Sequence, residues 1–340
     1  MLVASLRSFL RAAAASLVLV SAAAAQTVVF ADDFENGLGN WSASNWHAES
    51  SASTCGALAA PYPNGNEAAY FGSATACNYE AVTFGTLQLS SSPVLPPSGQ
   101  RAVLRCWMFI QTESGCASWD TAALWINGLV AWSNCPQPPQ NAWFQVECDV
   151  TRYLGQALAV SFAFSAGDGF DNGGFGWMVD DLRIEVEDYT TSCAGDGSGL
   201  ACPCGNSGAP GHGCGNSLFP AGGLLAVTGI ADRSADTVVL HGSNLPNASC
   251  TYFQGTTLAP VNAFDGILCV GGTLIRLGSK VNVANTSVYP AAGDASVAVR
   301  GQVPAAGGTY EYTTRYRNAA SFCTPETANF TNAVRITWSP

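Results

Sequence analysis

The chain has 340 residues, enough for two domains of ordinary size. It is 48% hydrophobic and only 11% charged, it carries a net charge of −11, and it contains 13 cysteines. Nine tryptophans and sixteen phenylalanines exclude a disordered chain, and the acidic balance argues against nucleic-acid binding. Because so many thiols are unusual in the cytosol, the composition predicts a secreted or cell-surface protein.

Residues 1–25 have the pattern of a secretory signal peptide. Arg7 and Arg11 precede an apolar run of small residues, Ala12 to Ala25, that ends in a small-x-small cleavage site. The run is 14 residues long, whereas a membrane span needs about 20. The sequence therefore predicts cleavage before Gln26 and no membrane span.

Short apolar runs separated by Gly, Pro, Asn and Ser predict a β-sandwich over residues 26–189. Several runs alternate cleanly, so that Leu182, Ile184 and Val186 share one side of a strand. Eight antiparallel strands indicate a jelly roll. The predicted strands are Thr27–Phe34, Glu67–Phe71, Ala81–Leu89, Ala102–Gln111, Ala122–Trp132, Trp143–Val150, Leu158–Ser165 and Trp177–Val186.

A Cys/Gly-rich linker is predicted at residues 190–220, followed by a second, smaller β-sandwich at residues 221–340. The two halves differ in charge: residues 26–189 hold 17 acids and four arginines, a net of −13, whereas residues 190–340 hold seven acids and seven basic residues. The acidity therefore belongs to the first domain. The strands predicted in the second are Leu224–Ile230, Thr237–His241, Thr251–Gln254, Leu268–Leu277, Ser296–Val303, Thr309–Arg317 and Val334–Trp338.

The cysteines are interpreted first as disulfides. The six of the first domain favour the pairs Cys55–Cys77, Cys116–Cys135 and Cys106–Cys148, out of fifteen possible pairings. The second domain has seven, and Cys250 is the predicted odd thiol. A zinc site at the Cys202-Pro203-Cys204 segment is the weaker alternative, because adjacent ligands this close strain tetrahedral geometry. The other cysteines predicted to form disulfides are Cys193, Cys202, Cys204, Cys214, Cys269 and Cys323.

Two acidic clusters bracket the first domain, one at the first strand and one entering the last. The first and last strands of a jelly roll commonly lie together, and carboxylates without nearby cations repel each other unless a metal joins them. Calcium is the hard cation that such oxygen donors favour. The alternatives are acids that only solvate turns, and a catalytic carboxylate pair. The predicted calcium ligands are Asp33, Glu35, Asp168, Asp171, Asp180 and Asp181.

These motifs carry a resemblance to known modules. The segment Asp32-Asp33-Phe34-Glu35 with the closing Gly176-Trp177-Met178-Val179-Asp180-Asp181 resembles MAM-type adhesion domains, the terminal domain of immune-inhibitor-A-like peptidases and several carbohydrate-binding jelly rolls. The resemblance covers residues 28–188 and implies a structural calcium at Glu35, Asp33, Asp180 and Asp181. Residues 193–338 resemble an uncharacterised module of secreted planctomycete-type bacterial proteins, on motifs such as Cys202-Pro203-Cys204-Gly205-Asn206.

The sequence offers little catalytic machinery and one hint of binding. It contains no recognisable nucleophile elbow, zinc-protease motif or phosphate-binding loop, and its three histidines stand outside such motifs. Trp46 and Trp119 lie in polar segments and are the predicted ligand-binding platform. The sequence therefore predicts a non-catalytic protein that binds extracellular polysaccharide or a surface protein. The alternatives are a glycan hydrolase or lyase that uses the acidic cluster, and a structural envelope or matrix component.

Overall fold

The structure is a computed structural model that describes residues 26–117, 119–318, 320, 322 and 324–340. The predicted signal peptide and Cys323 therefore lie outside the described residues. Nearly all regular structure is antiparallel β-sheet, which confirms the predicted all-β sandwich class. In the described part of the chain, no helix is long and apolar enough to cross a membrane.

The first half forms two antiparallel sheets. One has the order β3-β4-β11-β6-β9, with β1 paired to the far end of β11, and the other has the order β2-β5-β10-β7-β8. The first and last strands therefore lie together, as the sequence predicts. The strands are β1 (Gln26–Asp32), β2 (Trp41–Ser44), β3 (Trp46–Ser50), β4 (Glu67–Phe71), β5 (Phe84–Leu89), β6 (Arg101–Gln111), β7 (Asp120–Ile126), β8 (Leu129–Ser133), β9 (Trp143–Asp149), β10 (Val160–Ala166) and β11 (Gly176–Glu187).

The core of this half lies between the two sheets and is rich in aromatic rings. Trp177 on β11 is fully buried, and its ring contacts those of Trp46, Phe162 and Trp132. Every second residue of β10 points inward, so Val160, Phe162 and Phe164 are buried while the serine and alanine between them are only partly buried. The same alternation leaves one face of each sheet toward solvent, and it is there that a ligand can dock.

The second half has three sheets, ordered β12-β22-β20-β15-β18 with β21 on β20, β13-β14-β19, and β16-β17. The described residues also form three short 3-10 turns, all in the first half, and one helical turn in the second half. The strands are β12 (Thr190–Cys193), β13 (Leu224–Thr228), β14 (Val239–Ser243), β15 (Ser249–Gly255), β16 (Thr257–Ala263), β17 (Gly266–Gly271), β18 (Ile275–Val281), β19 (Ser287–Tyr289), β20 (Gly308–Arg317), β21 (Ala328–Phe330) and β22 (Ala333–Trp338); the helix α1 is Val297–Arg300, and the 3-10 turns are Gly56–Leu58, Gly115–Ala117 and Thr151–Tyr153.

Several segments differ from the predicted elements. The run predicted as one strand at 122–132 is the hairpin β7–β8, because Asn127 and Gly128 both adopt the left-handed conformation that a two-residue turn requires. The strand predicted at 296–303 is the helix α1, whose N-terminal Ser296 side chain accepts the Val299 amide. The strand predicted at 268–277 is divided between β17 and β18. The predicted linker opens with β12, which pairs with β22. The other strands that were not predicted are β2, β3, β16, β19 and β21.

Four disulfides join described cysteines: Cys55–Cys77, Cys116–Cys135, Cys193–Cys269 and Cys202–Cys214. Cys204 is disulfide-bonded as well. The first two are the pairs favoured from the sequence, and bonding of Cys202, Cys204 and Cys214 leaves no thiolates for the zinc alternative. Disulfides of this number fit a secreted or extracellular protein.

The predicted Cys106–Cys148 bond is wrong, and the register of the sheet explains why. Cys106 on β6 faces Val146 on β9, and Cys148 faces Leu104, so the two cysteines are diagonal rather than opposite. Diagonal side chains lie farther apart than the Cβ separation of about 4 Å that a disulfide needs. Both are free, buried thiols in the core, and Cys250 is a third, as predicted.

The two halves meet at a short joint. Only Asp188 and Tyr189 connect β11 to β12, and the Tyr189 hydroxyl donates to the Gly229 carbonyl at 3.0 Å. The Gln100 side chain bonds the Thr337 backbone twice, donating to its carbonyl at 2.6 Å and accepting from its amide at 3.1 Å. The joint is therefore held by hydrogen bonds on both sides of the connection.

Candidate functional site

The structure divides the predicted calcium ligands between two places. Glu35, Asp180 and Asp181 lie around the loop of residues 64–67, and we call these three residues the first acidic cluster. Asp33 lies just before them in the chain, and its side chain accepts the Glu35 amide at 3.3 Å. Asp168 and Asp171 lie in the loop before β11. About 13 Å of strand separates the start of β11 at Gly176 from Asp180. One metal ion therefore cannot be bound by all six residues.

In the first acidic cluster, carboxylates hold a loop through its backbone. The Glu35 Oε1 atom accepts the amides of Asn66 and Glu67, both at 2.7 Å. The Asp180 Oδ2 atom accepts the amide of Asn64 at 3.2 Å, while its Oδ1 accepts the amide of Asp181 at 2.6 Å. Two carboxylates thus fix the loop of residues 64–67 against the end of the sandwich.

Asp180 is the most perturbed carboxyl group of the cluster. Its side chain is fully buried, and this burial raises its pKa to about 7. The negative charges of Asp181 and Glu35 act in the same direction, while the two amide hydrogen bonds act against it. Asp181 itself turns outward at a bulge in β11, with a φ of 45°, and pairs with Arg183 at 2.9 Å.

The opening acids also differ from the prediction. Strand β1 ends at Asp32 instead of the predicted Phe34, and Phe34 has a φ of 58°, so Asp33 and Glu35 lie in a turn. Asp32, which was not among the predicted ligands, is the buried acid here. Its carboxylate accepts the Phe34 amide at 2.9 Å, the Asn40 side chain at 3.0 Å and the Trp41 indole at 2.9 Å.

Among the residues that the structure describes, no group of three or more His, Cys, Asp or Glu side chains is arranged to hold a metal ion. The carboxylates of Glu35 and Asp180 are occupied by backbone amides instead. Calcium binding stays a prediction, and any cation here would need main-chain carbonyl oxygens as additional ligands.

A second acidic cluster, defined by Glu113, Asp120, Asp168 and Asp171, lies at the end of β7. Asp120 is fully buried, and its Oδ2 accepts the Tyr79 hydroxyl. Its Oδ1 has no hydrogen-bond partner among the described residues, although the nearby amides of Glu113 and Gly167 favour the charged form. Burial, aided by the charge of Asp168, still raises the pKa of Asp120. Desolvation and the charges of the other three acids also raise the pKa of Glu113.

The two predicted platform tryptophans differ in their surroundings. Trp46 is only 6% exposed, because it lies on β3 and its ring packs against Phe71 and Trp177, so the prediction that it binds a ligand is wrong. Its neighbours in sequence are polar, but a short strand places every second side chain inward. Trp119 is 49% exposed beside the second acidic cluster.

The outer side of β5, β10 and β7 forms a surface that we call the uncharged face. Its side chains stand in three rows across the strands, and none is charged. Phe84, 53% exposed, and Trp125, 37% exposed, occupy opposite corners, with small and hydroxyl-bearing residues between them. The rows are Phe84-Ser165-Thr121, Thr86-Ala163-Ala123 and Gln88-Ser161-Trp125.

The uncharged face carries a groove of about 370 Å³, bounded on one side by Val130 and Ser133 of β8. From the strand spacings, Phe84 and Trp125 are about 14 Å apart along the strands and about 10 Å apart across them. The sequence signal for this surface is the alternation Thr121, Ala123, Trp125 along β7. Which strands flank β7 could not be read from the sequence.

The outer side of the opposite sheet is charged instead. Arg105 pairs with Glu147 at 2.8 Å and with Glu185 at 2.6 Å, and Arg101 pairs with Glu147 at 2.5 Å. The charges of the first domain therefore concentrate on one sheet and at the acidic clusters, which leaves the other sheet free to contact an uncharged partner.

Comparisons with known proteins do not identify a family. No family model matches this sequence, and no curated protein matches it either. Among solved structures, the chain is similar to a Bacteroides uniformis β-glucuronidase, with 10% sequence identity and a TM-score of 0.22 over 86% of this chain and 32% of that one. It is similar to an Amycolatopsis orientalis exo-chitosanase, with 13% identity and a TM-score of 0.22 over 86% of this chain and 33% of that one. It is also similar to an FMN-binding β-glucuronidase from Faecalibacterium prausnitzii, with 12% identity and a TM-score of 0.21 over 87% of this chain and 39% of that one. The chain spans less than half of each protein, and likenesses this low carry no argument.

Proposed function

We propose that this protein is a secreted, non-catalytic binding protein that holds an extracellular polysaccharide on the uncharged face. The observation that supports the proposal is the pair Phe84 and Trp125, two exposed rings on a sheet surface without a single charge. Large exposed aromatic side chains are costly to leave in water, and they are common where a protein meets a partner.

The chemistry of the face suits sugar rings. A pyranose ring presents C–H groups that pack on an aromatic ring, and its hydroxyl groups exchange hydrogen bonds with hydroxyl and amide side chains such as Thr86, Gln88 and Ser161. A charged polymer would lose its hydration here without gaining a counter-ion. The face therefore fits a neutral polysaccharide better than an acidic one.

Binding of a panel of neutral polysaccharides, measured by affinity electrophoresis, tests the proposal. We expect Trp125→Ala and Phe84→Ala each to weaken binding about tenfold, because each change removes roughly 1.5 kcal/mol of buried aromatic contact. Phe170→Ala is the matched control, since Phe170 is 79% exposed but lies in the loop before β11. Trp119→Ala measures whether the platform extends to the second acidic cluster.

Two results would argue against the proposal. If Phe170→Ala weakens binding as much as Trp125→Ala does, the uncharged face is not the site. If no polysaccharide is retained by the wild-type protein, the alternative of a structural envelope or matrix component is favoured.

A glycan hydrolase or lyase is the second candidate function, and the raised pKa of Glu113 favours it. A general acid requires a carboxyl group with a raised pKa, and desolvation together with the charges of Asp120, Asp168 and Asp171 raises the pKa of Glu113. Release of reducing ends or unsaturated products from a bound polysaccharide would support this function. Glu113→Gln should then abolish turnover and leave binding intact; absence of any product rejects the enzyme.

A structural calcium at the first acidic cluster is part of the same proposal. The convergence of Glu35 and Asp181 on the buried Asp180 supports it, because three carboxylates would repel one another less with a cation among them. Calcium would stabilise the loop of residues 64–67 and take no part in sugar binding.

A further inference from the structure

In the second half of the chain, three arginines have no polar partner among the residues that the structure describes. Four of its seven cations are engaged: two pair with carboxylates and two donate to backbone carbonyls. Arg276, Arg315 and Arg317 have no ion pair and no hydrogen bond to any described residue. The engaged cations are Lys280 with Asp294, Arg335 with Glu311, Arg233 with the Val303 carbonyl and Arg300 with the Leu277 carbonyl.

Two of these three arginines lie together at one cavity. Arg315 and Arg317 are two residues apart on β20, so their side chains leave the same face of the sheet. Both are exposed, and both line a cavity of about 330 Å³. The hydroxyl-bearing residues Ser249 and Thr327 line the same cavity, whereas Arg276 lies outside it on β18.

An aromatic ring orients one of the two guanidinium groups. The Arg315 guanidinium lies over the Phe264 ring, 4.9 Å from its centroid. This stacking satisfies the flat side of the guanidinium and leaves its N–H edge available for an acceptor. Arg315 is therefore held in place before any ligand arrives.

The turn that carries Phe264 is itself fixed. Phe264 joins β16 to β17 with a φ of 55°, a conformation that bulky residues rarely adopt, and its ring stacks on that of Phe330 with centroids 6.0 Å apart. The next residue, Asp265, is fully buried and accepts the Thr324 amide and the Asn318 side chain. The surrounding contacts thus support an otherwise unfavourable backbone geometry beneath Arg315.

We propose that the cavity of Arg315 and Arg317 binds the carboxylate or sulfate groups of an acidic extracellular polysaccharide. A guanidinium presents two parallel N–H groups that match the two oxygens of such an anion. Glu326 also lines the cavity but forms no ion pair with either arginine, so the N–H groups of both guanidinium groups are free to bind an anion. This site is separate from the uncharged face and has the opposite ligand preference.

The test compares polymers that differ only in charge, using the full-length mature protein. Binding is measured by biolayer interferometry to polygalacturonate and its methyl ester, and to dextran sulfate and dextran, at physiological ionic strength. We expect binding to an acidic polymer and not to its uncharged partner. Binding to polygalacturonate alone identifies carboxylate as the ligand, and binding to dextran sulfate alone identifies sulfate.

Variants then assign the binding to the cavity. We expect the double variant Arg315→Ala with Arg317→Ala to weaken binding at least about tenfold, since hydrogen bonds to charged groups contribute that much each. Arg276→Ala is the matched control and should leave binding within about twofold of wild type. The double variant Arg315→Lys with Arg317→Lys keeps the positive charge but loses the paired N–H donors of the guanidinium, so it should also bind more weakly. Its thermal melt confirms that it is folded.

Three results would overturn the proposal: equal binding to charged and uncharged polymers, wild-type affinity in both double variants, or an equal loss in Arg276→Ala. Trp125→Ala, which removes a ring of the uncharged face, should leave binding to acidic polymers unchanged. Failure of this site and failure of the proposed neutral-glycan site are therefore distinguishable.

Discussion

The buried carboxyl group of Asp180 should make the stability of the first domain depend on pH. In the folded protein its pKa is about 7, whereas an Asp in water has a pKa of 3.8. Between these two values the unfolded chain has lost the Asp180 proton and the folded chain still holds it. The contribution of Asp180 to the free energy of unfolding should therefore fall as the pH rises from about 4 to about 7.

The size of this effect follows from the difference between the two pKa values. Each pKa unit corresponds to about 1.4 kcal/mol, so Asp180 should lower the stability by about 4 kcal/mol between these limits. Below pH 4 both states are protonated, and above pH 7 both are ionised, so the contribution is constant outside the window. Asp180→Asn removes the titrating group and should flatten this part of the profile.

Chemical denaturation at a series of pH values, with EDTA present, measures the effect as the difference between wild type and Asp180→Asn. The variant should also be less stable at low pH, because an amide cannot accept the Asn64 amide and the Asp181 amide as a carboxyl group does. Asp33→Asn is the control and should keep the wild-type slope. If the difference in stability between wild type and Asp180→Asn stays constant from pH 4 to pH 7, the reasoning is wrong.

Three further predictions concern the same half of the chain and the thiols. Added calcium should raise the Tm of the first domain and EDTA should lower it; an unchanged Tm with no calcium co-purified would contradict the metal prediction. Glu35→Ala should lower the free energy of unfolding by about 1–3 kcal/mol, because two amides lose their acceptor, and should expose residues 64–67 to limited proteolysis. A variant that is as stable as the wild type and resists the protease would contradict this prediction. Alkylation with mass-spectrometric mapping should leave Cys106, Cys148 and Cys250 unmodified until the protein is unfolded, since all three are buried; labelling of the native protein would show that they are accessible.

Strands bounded by clear turn residues could be predicted from the sequence, and short or interrupted ones could not. The run at residues 67–71 matches β4 at both ends, because its boundaries coincide with turn residues. By contrast, α1 lies in a β-branched run, and its short helix depends on the cap from Ser296 and on burial of Val297. Local propensity cannot decide such a segment, since tertiary packing outweighs it.

The candidate sites show the same limit. The sequence identified most of the acids correctly as clustered, but it joined two clusters into one because their separation depends on how far β11 extends past Gly176. Trp46 has polar neighbours, and only its pairing with β4 shows that it is a core residue. The uncharged face needs three strands aligned in register, and its members are distant in the chain.

The two-residue joint between the halves has a consequence for avidity. A long flexible linker would let the two proposed sites find a polymer at any spacing, whereas the joint bonded through Gln100 and Tyr189 offers them a narrow range of separations. The gain from binding two sites at once is large when the spacing of the partner fits and disappears when it does not. A mixed polymer with neutral and acidic stretches would therefore be selected by the distance between those stretches as well as by their chemistry.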